Sequence, residues 1–263
     1  MNRIDQKFQE LKRQNKKAFI AFITAGDPDL ATTRKLALAL EGAGVDILEL
    51  GVPFSDPLAD GPTIQAASQR ALLKGVTLKK ILKLVVQVRK ASPLPICLMT
   101  YYNPVFHFGE EKFVAQAAQA GVDGLIIPDL PPEEAKNLIR AARKKNMATV
   151  FFLAPTTDPK RIPLINSASR GFIYYVSVAG VTGARKSLPP QLIKDLKRVR
   201  SRVSRPLCVG FGISTPQHVR QLSRVSDGVI VGSAIVKEIL KNRGKKDLAA
   251  RVSHFVRSLS AHV

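Results

Sequence analysis

One carboxylate sits where a strand is expected. In Ile47-Leu-Glu-Leu-Gly51, strand alternation puts Glu49 on the same face as Ile47 and Gly51. If that face points into a core, the carboxylate needs a cation or several donors, yet none of the apolar runs of the chain contains Lys or Arg. Desolvation without a counter-charge raises a carboxyl pKa, and a carboxyl that holds its proton near neutral pH can act as a general acid or proton shuttle. A structural glutamate, satisfied by backbone donors or by a cation brought in from a loop, fits the same residues at this point.

The segment that follows, Pro53-Phe-Ser-Asp-Pro-Leu-Ala-Asp-Gly-Pro62, is too rich in Pro, Asp and Gly to be helical before about Thr63. Its carboxylates, Asp56 and Asp60, suit turns and the cap of the next helix. A loop that folds back over the strand end would also bring one of them opposite Glu49, and two carboxylates in different environments can divide acid and base work. Three later segments, Gly180-Val-Thr-Gly183, Gly210-Phe-Gly-Ile-Ser214 and Gly232-Ser-Ala-Ile235, offer glycines and free backbone N–H groups. The last opens a short helix over Ala234–Leu240 with Ser233 at its start, where the helix dipole favours a phosphate. Any one glycine-rich turn is weak; three at successive loops point to a phosphorylated small molecule.

The elements that must position these residues are legible as eight short runs rich in Val, Ile and Phe: Ala18–Thr24, Asp46–Val52, Ile96–Tyr101, Gly124–Pro128, Ala148–Ala154, Phe172–Val178, Leu207–Gly212 and Gly228–Gly232. Each is followed by a longer amphipathic stretch, the grammar of βα units and a parallel sheet. A phrase that turns into a strand recurs as Ala43-Gly-Val-Asp-Ile-Leu48, Ala120-Gly-Val-Asp-Gly-Leu125 and, more loosely, Ser226-Asp-Gly-Val-Ile230. Eight units without a break in composition favour a closed barrel over a doubly wound sheet: an α/β fold, a (β/α)8 TIM barrel with residues 1–263 as a single domain. An extra N-terminal helix, Asn2–Asn15, is expected to cover the N-terminal mouth, and Leu248–Val263 to pack through Val252, Phe255, Val256 and Leu259. In such a barrel the reactive groups belong at the C-terminal strand ends, where Glu49 and the glycine loops lie.

The chain has 41 Lys and Arg against 20 Asp and Glu, a net charge of +21. The basic clusters, Lys79–Lys90, Arg140–Lys145, Lys194–Arg205 and Lys237–Lys246, alternate with apolar residues at helical spacing and fall on different helices. They read as solvated faces around a barrel, with no nucleic-acid motif and no aromatic interleaving to suggest a specific nucleic-acid partner. Cys97 and Cys208 lie inside apolar runs, as small buried hydrophobes in a reducing compartment. His107, His218, His254 and His262 share no ligand spacing, so no metal is expected. The N-terminus has no apolar signal region and no run approaches a membrane span, so a soluble, cytoplasmic protein is the expectation.

The run Leu48-Glu-Leu-Gly-Val-Pro-Phe-Ser-Asp-Pro-Leu-Ala-Asp-Gly-Pro-Thr-Ile-Gln65 closely resembles the tryptophan synthase alpha subunit family. The likeness extends through Ala21-Phe-Ile-Thr-Ala-Gly-Asp-Pro28, Tyr101-Tyr-Asn-Pro104 as read along 101–104, Pro128-Asp-Leu-Pro131 and the three glycine segments. It implies retro-aldol cleavage of indole-3-glycerol phosphate to indole and glyceraldehyde 3-phosphate, with no cofactor on this subunit. By that resemblance Glu49 protonates indole C3 and shuttles the glycerol hydroxyl proton, and Asp60 stabilises charge at the indole nitrogen. Tyr174 would be the active-site tyrosine, although a register one residue away would exchange it with Tyr175. Thr182 would close over the substrate and meet Asp60; Gly183, Gly212, Gly232 and Ser233 would hold the phosphate; Phe22, Tyr101, Phe211 and Ile230 would line the indole pocket. The family pairs with a pyridoxal-phosphate beta subunit in an αββα heterotetramer, with Asp56 and Pro57 as the interface candidates. Other phosphate-binding barrels, such as indole-glycerol-phosphate synthase, share the late glycine loops, but the segment after Gly51 argues against them. A subunit that only activates its partner is the rival from another class.

Overall fold

The computed structural model describes residues 1–177, 188–210 and 212–263. Strands β1 (Ala18–Thr24), β2 (Ile47–Gly51), β3 (Ile96–Met99), β4 (Gly124–Ile126), β5 (Ala148–Val150), β6 (Phe152–Leu153), β7 (Ile173–Val176), β8 (Leu207–Gly210) and β9 (Gly228–Val231) form one parallel sheet. Their order is β5-β4-β3-β2-β1-β9-β8-β7-β6. The two ends of that order are one stretch of chain, because only Phe151 separates β5 from β6. Its first half pairs with β4, Gly124 opposite Ala148, and its second half with β7, Phe152 opposite Tyr174. At the seam Arg170 N donates to Thr149 O at 2.9 Å and Tyr174 N to Phe151 O at 3.0 Å. The run expected over Ala148–Ala154 is therefore a single barrel position whose ladder changes partner midway, and the eightfold pattern closes into a barrel.

Around the barrel run α1 (Arg3–Arg13), α2 (Leu30–Glu41), α3 (Pro62–Leu73), α4 (Leu78–Arg89), α5 (Tyr102–Phe108), α6 (Glu110–Ala120), α7 (Lys136–Lys144), α8 (Ile162–Ala168), α9 (Pro190–Arg200), α10 (Pro216–Ser223), α11 (Ser233–Lys241) and α12 (Leu248–Ser260). Strand alternation sorts the core into two shells. Phe19, Ile23, Leu48, Leu50, Leu98 and Tyr175 face outward and pack with the helices. Ile20, Ile47, Cys97, Ile126, Val150, Phe172, Cys208 and Ile230 face inward. Burying both faces is why these strands read as continuous apolar runs.

The N-terminal helix closes the bottom of the inner shell. Ile4, Phe8 and Leu11 of α1 belong to the same cluster as the inward strand residues. Ile4 reaches so far in that a Cβ on Gly124 would lie 2.9 Å from its Cδ1, and one on Gly171 3.1 Å from its Cγ2. Asn2 fastens the helix: its Oδ1 accepts from Ile4 N, and its Nδ2 donates to Asp123 O and Asn146 O, both at 2.7 Å. The recurring turn phrase has a job beyond the turn itself. Asp46, Asp123 and Asp227 each accept a backbone N–H at the start of the preceding strand in sequence, from Phe19, Ile96 and Leu207, all at 2.9 Å. These bonds pin neighbouring strands at the N-terminal end and leave the C-terminal end free for a site.

Candidate active site

Glu49 projects into the barrel between Phe22 of β1 and Cys97 of β3, its register partners. It is fully buried, and neither carboxylate oxygen has a hydrogen-bond partner among the described residues. Neither donors nor a cation satisfy it there, so the purely structural reading of this glutamate finds no support. Burial, and secondarily the charge of Asp60, push its pKa up to about 8.

Asp60 reaches the same place from the loop after β2. Burial raises its pKa to about 6, while the neighbouring Tyr101 hydroxyl pulls the other way. It does not cap α3: the N-cap is Gly61, with no side-chain cap bond. The turn reading thus fails for the Asp60 side chain, although its backbone oxygen accepts from Gln65 Nε2 at 2.8 Å. The loop is tied down by Tyr101, whose hydroxyl accepts from Ala59 N at 3.0 Å and whose ring stacks on Phe54 with centroids 5.1 Å apart. Asp56 stays exposed beside the Ser55 hydroxyl, and Pro57 is half-buried.

The register at β7 places Tyr174 inward, packed against the inner cluster, and Tyr175 in the outer shell. Burial first, then Glu49 and Asp60, hold the Tyr174 phenol well above its ordinary pKa, so it stays protonated. Its ring lies against Phe152, centroids 5.0 Å apart. Two glycines make room for aromatic rings here: a Cβ on Gly210 would come within 2.5 Å of the Tyr174 hydroxyl, and one on Gly51 within 2.5 Å of the Phe22 ring. Phe22 also meets Ala67 and Val236, with Ile64 and Met99 alongside. Ile230 is buried in the inner shell. Sequence reasoning missed Phe152 and Met99; their inward parity was the available signal, but the changeover at Phe151 hid it for Phe152.

For an anion, Gly232 caps α11 with no side-chain bond to its first N–H groups, and Ser233 is exposed at its first position. The helix runs Ser233–Lys241, one residue longer at each end than expected. Gly212 has φ 66°, a left-handed conformation, and open space where a side chain would stand. Thr182, Gly183 and Phe211 lie outside the described residues. Among the described residues no group of three His, Cys, Asp or Glu side chains could hold a metal ion, and no helix is long and apolar enough to cross a membrane.

An ion pair between a buried aspartate and a half-buried arginine braces this mouth and has no sequence signature. Arg70 of α3 donates from Nε and Nη2 to the two oxygens of Asp27, at 2.9 and 2.7 Å, tying α3 to the loop after β1. Removing one partner of such a pair strands the other. Arg70→Met is expected to lower unfolding free energy by about 1–2 kcal/mol, between the values for an exposed and a fully buried pair, read from urea midpoints at unchanged slope. A loss under about 0.5 kcal/mol, the size of an exposed pair, would contradict the clamp.

A family model described as tryptophan synthase alpha chain matches residues 8–263. The chain belongs to the tryptophan synthase alpha chain family. It is 53% identical over 263 residues to the tryptophan synthase alpha chain of Geotalea uraniireducens, covering 100% of this chain and 98% of that one. The family member from Caldanaerobacter subterraneus is 51% identical over 259 residues, with 98% of each covered. Among solved structures, tryptophan synthase subunit alpha from Legionella pneumophila superposes with a TM-score of 0.93 at 40% identity, over 100% of this chain and 98% of that one. A chain from the tryptophan synthase α2β2 complex of Pyrococcus furiosus gives 0.88 at 40% identity, over 93% and 98%. As a member of this family the chain is a lyase of tryptophan biosynthesis that cleaves indole-3-glycerol phosphate.

Proposed function

We propose that Glu49, Asp60 and Tyr174 carry out this retro-aldol cleavage. The observation that supports the assignment best is a fully buried carboxyl with a pKa near 8 and no partner among the described residues, next to a second carboxylate near 6. Protonated Glu49 delivers its proton to indole C3, giving the indolenine. The carboxylate then takes the proton of the glycerol hydroxyl, that oxygen becomes the aldehyde, and the electron pair of the breaking carbon–carbon bond restores the aromatic indole. Asp60 stays ionised and stabilises positive charge at the ring nitrogen; Thr182, outside the described residues, is assigned to the substrate site by the family resemblance alone. Tyr174 packs on the reacting end of the pocket. Phe22, Tyr101, Phe211 and Ile230 enclose the indole; Gly183, Gly212, Gly232 and Ser233 hold the phosphate through backbone N–H groups and the α11 dipole.

The partner in this reading is a tryptophan synthase beta subunit in an αββα assembly, carrying pyridoxal phosphate and taking up the indole; this chain needs no cofactor for the chemistry above. The Pyrococcus furiosus structure is of such an α2β2 complex. Asp56 and Pro57 are the interface residues, and Leu58 beside them, 95% exposed, with Phe106 on α5, 67% exposed, are apolar groups that a partner would cover. The whole chain works as one cytoplasmic domain. The test is indole release from indole-3-glycerol phosphate by the purified chain, alone and with a beta subunit: indole should form, and faster with the partner. A chain inert in both conditions that still stimulates the beta subunit would make it a regulatory subunit instead.

A further inference from the structure

A second cavity lies on the outside of the barrel, between α7 and α8. It is a groove of about 890 Å³ walled by Lys136, Arg140, Arg143 and Lys144, with Ile139, Leu164 and Ala168 as its apolar floor. The four cations follow helical spacing on one exposed face of α7 and span about 12 Å of its axis. None of them has a carboxylate partner among the described residues; Arg143 only reaches the Ser167 carbonyl, at 3.4 Å. Glu133, on the rim, is already held by three hydrogen bonds from Arg161, at 2.7 to 3.0 Å.

Local helix energetics account for only half of this arrangement. Arg143 and Lys144 sit in the last turn, where cations complement the helix dipole. Lys136 opens the helix at the wrong end of that dipole, and the Lys136/Arg140 and Arg140/Lys144 pairs set like charges four residues apart. Leu164 is 42% exposed at the bottom of the same groove. An external polyanion with an apolar side chain would relieve the repulsion and cover the leucine together.

We propose that the α7–α8 groove docks an acidic amphipathic helix of a partner protein, its carboxylates spaced to meet the four cations of α7 and one apolar side chain seated on Ile139, Leu164 and Ala168. The charge decides for an acidic partner, and the apolar floor decides for protein over nucleic acid: no aromatic ring lines the groove for bases to stack on. The 12 Å spread of cations exceeds what one small anion can bridge.

The test uses the full chain and a fluorescent sixteen-residue helical peptide with Glu at four successive cation-matching positions around a central Leu, titrated by anisotropy at about 0.1 M salt, where exposed charges more than about 10 Å apart are screened. Arg140→Glu with Lys144→Glu should weaken binding at least tenfold, and Leu164→Gln several-fold, with indole release and the unfolding midpoint unchanged. A peptide with Gln for the central Leu should bind as weakly to wild type as the Leu peptide does to Leu164→Gln. The proposal is overturned if the groove variants leave peptide binding intact, since the peptide then sits elsewhere on the basic surface. It is overturned equally if the Gln peptide binds as well as the Leu peptide, or if an RNA oligomer of equal charge binds as tightly and loses as much in the same variants. Leu164→Gln leaves every charge in place and decides the matter should charge reversal disturb folding.

Discussion

Glu49→Gln will lower the rate of indole formation by roughly 10²- to 10⁴-fold, the range that a positioned acid–base group contributes, and will at the same time make the protein more stable. Both follow from the same burial. Glutamine keeps the size of the protonated side chain but has no proton to give to C3 and no base to receive the hydroxyl proton. The stability effect has a definite sign. The folded-state pKa, about 8, is raised above the ordinary 4.5, so Glu49 costs nothing while it is protonated in both states. Between pH 4.5 and 8 only the unfolded chain ionises, and stability falls as pH rises, until above 8 the folded protein carries the full charge. A displacement of that size corresponds to roughly 5 kcal/mol. The variant lacks this loss, so it should match wild type near pH 4 and exceed it by several kcal/mol near pH 9, as read from urea unfolding. A variant of unchanged activity would remove Glu49 from the chemistry. Parallel pH curves of stability would instead mean that a donor in the protein satisfies its carboxylate.

That trade explains why the site was more legible in sequence than many of its supports. Glu49 announced itself because a charge inside an apolar strand breaks a strong rule, and its facing followed from parity alone. The barrel was legible because both faces of every strand are buried, so eight apolar runs stand out against amphipathic helices. Parity could not decide between Tyr174 and Tyr175, since both residues of the pair are aromatic and both find apolar surroundings; only the pairing with Phe152 and Cys208 fixes the register. The Asp27–Arg70 clamp joins residues 43 apart through a side-chain geometry that no periodicity encodes. The turn aspartates were visible as a repeated phrase, but their bonds to the preceding strand depend on that strand being the parallel neighbour in the sheet. The basic residues of α7 are exposed, as their helical spacing suggests, while the apolar floor that Leu164 and Ala168 lay beside them appears only when α8 is placed against α7.

Asp60→Asn should cost about 10²- to 10³-fold in kcat/KM, as loss of a group aimed at developing charge does, and should also reshape the pH profile. Wild type needs Asp60 ionised and Glu49 protonated. With pKa values near 6 and 8, kcat/KM should rise through pH 6, plateau near 7 and fall through 8. These two limbs belong to the interacting pair and not to isolated residues. In Asp60→Asn the acid limb disappears, because nothing remains to titrate there. The alkaline limb should also move below pH 8, since the charge of Asp60 is one of the two causes that hold the Glu49 pKa up; burial, the larger cause, keeps it well above 4.5. The displacement separates two accounts of Asp60 that a rate loss alone would not. If the residue only shaped the pocket, the rate would drop with the alkaline limb where it was. If the alkaline limb moves down as the acid limb vanishes, the two carboxyls sense each other across the site, and the division of labour between an ionised Asp60 and a protonated Glu49 follows from their unequal burial.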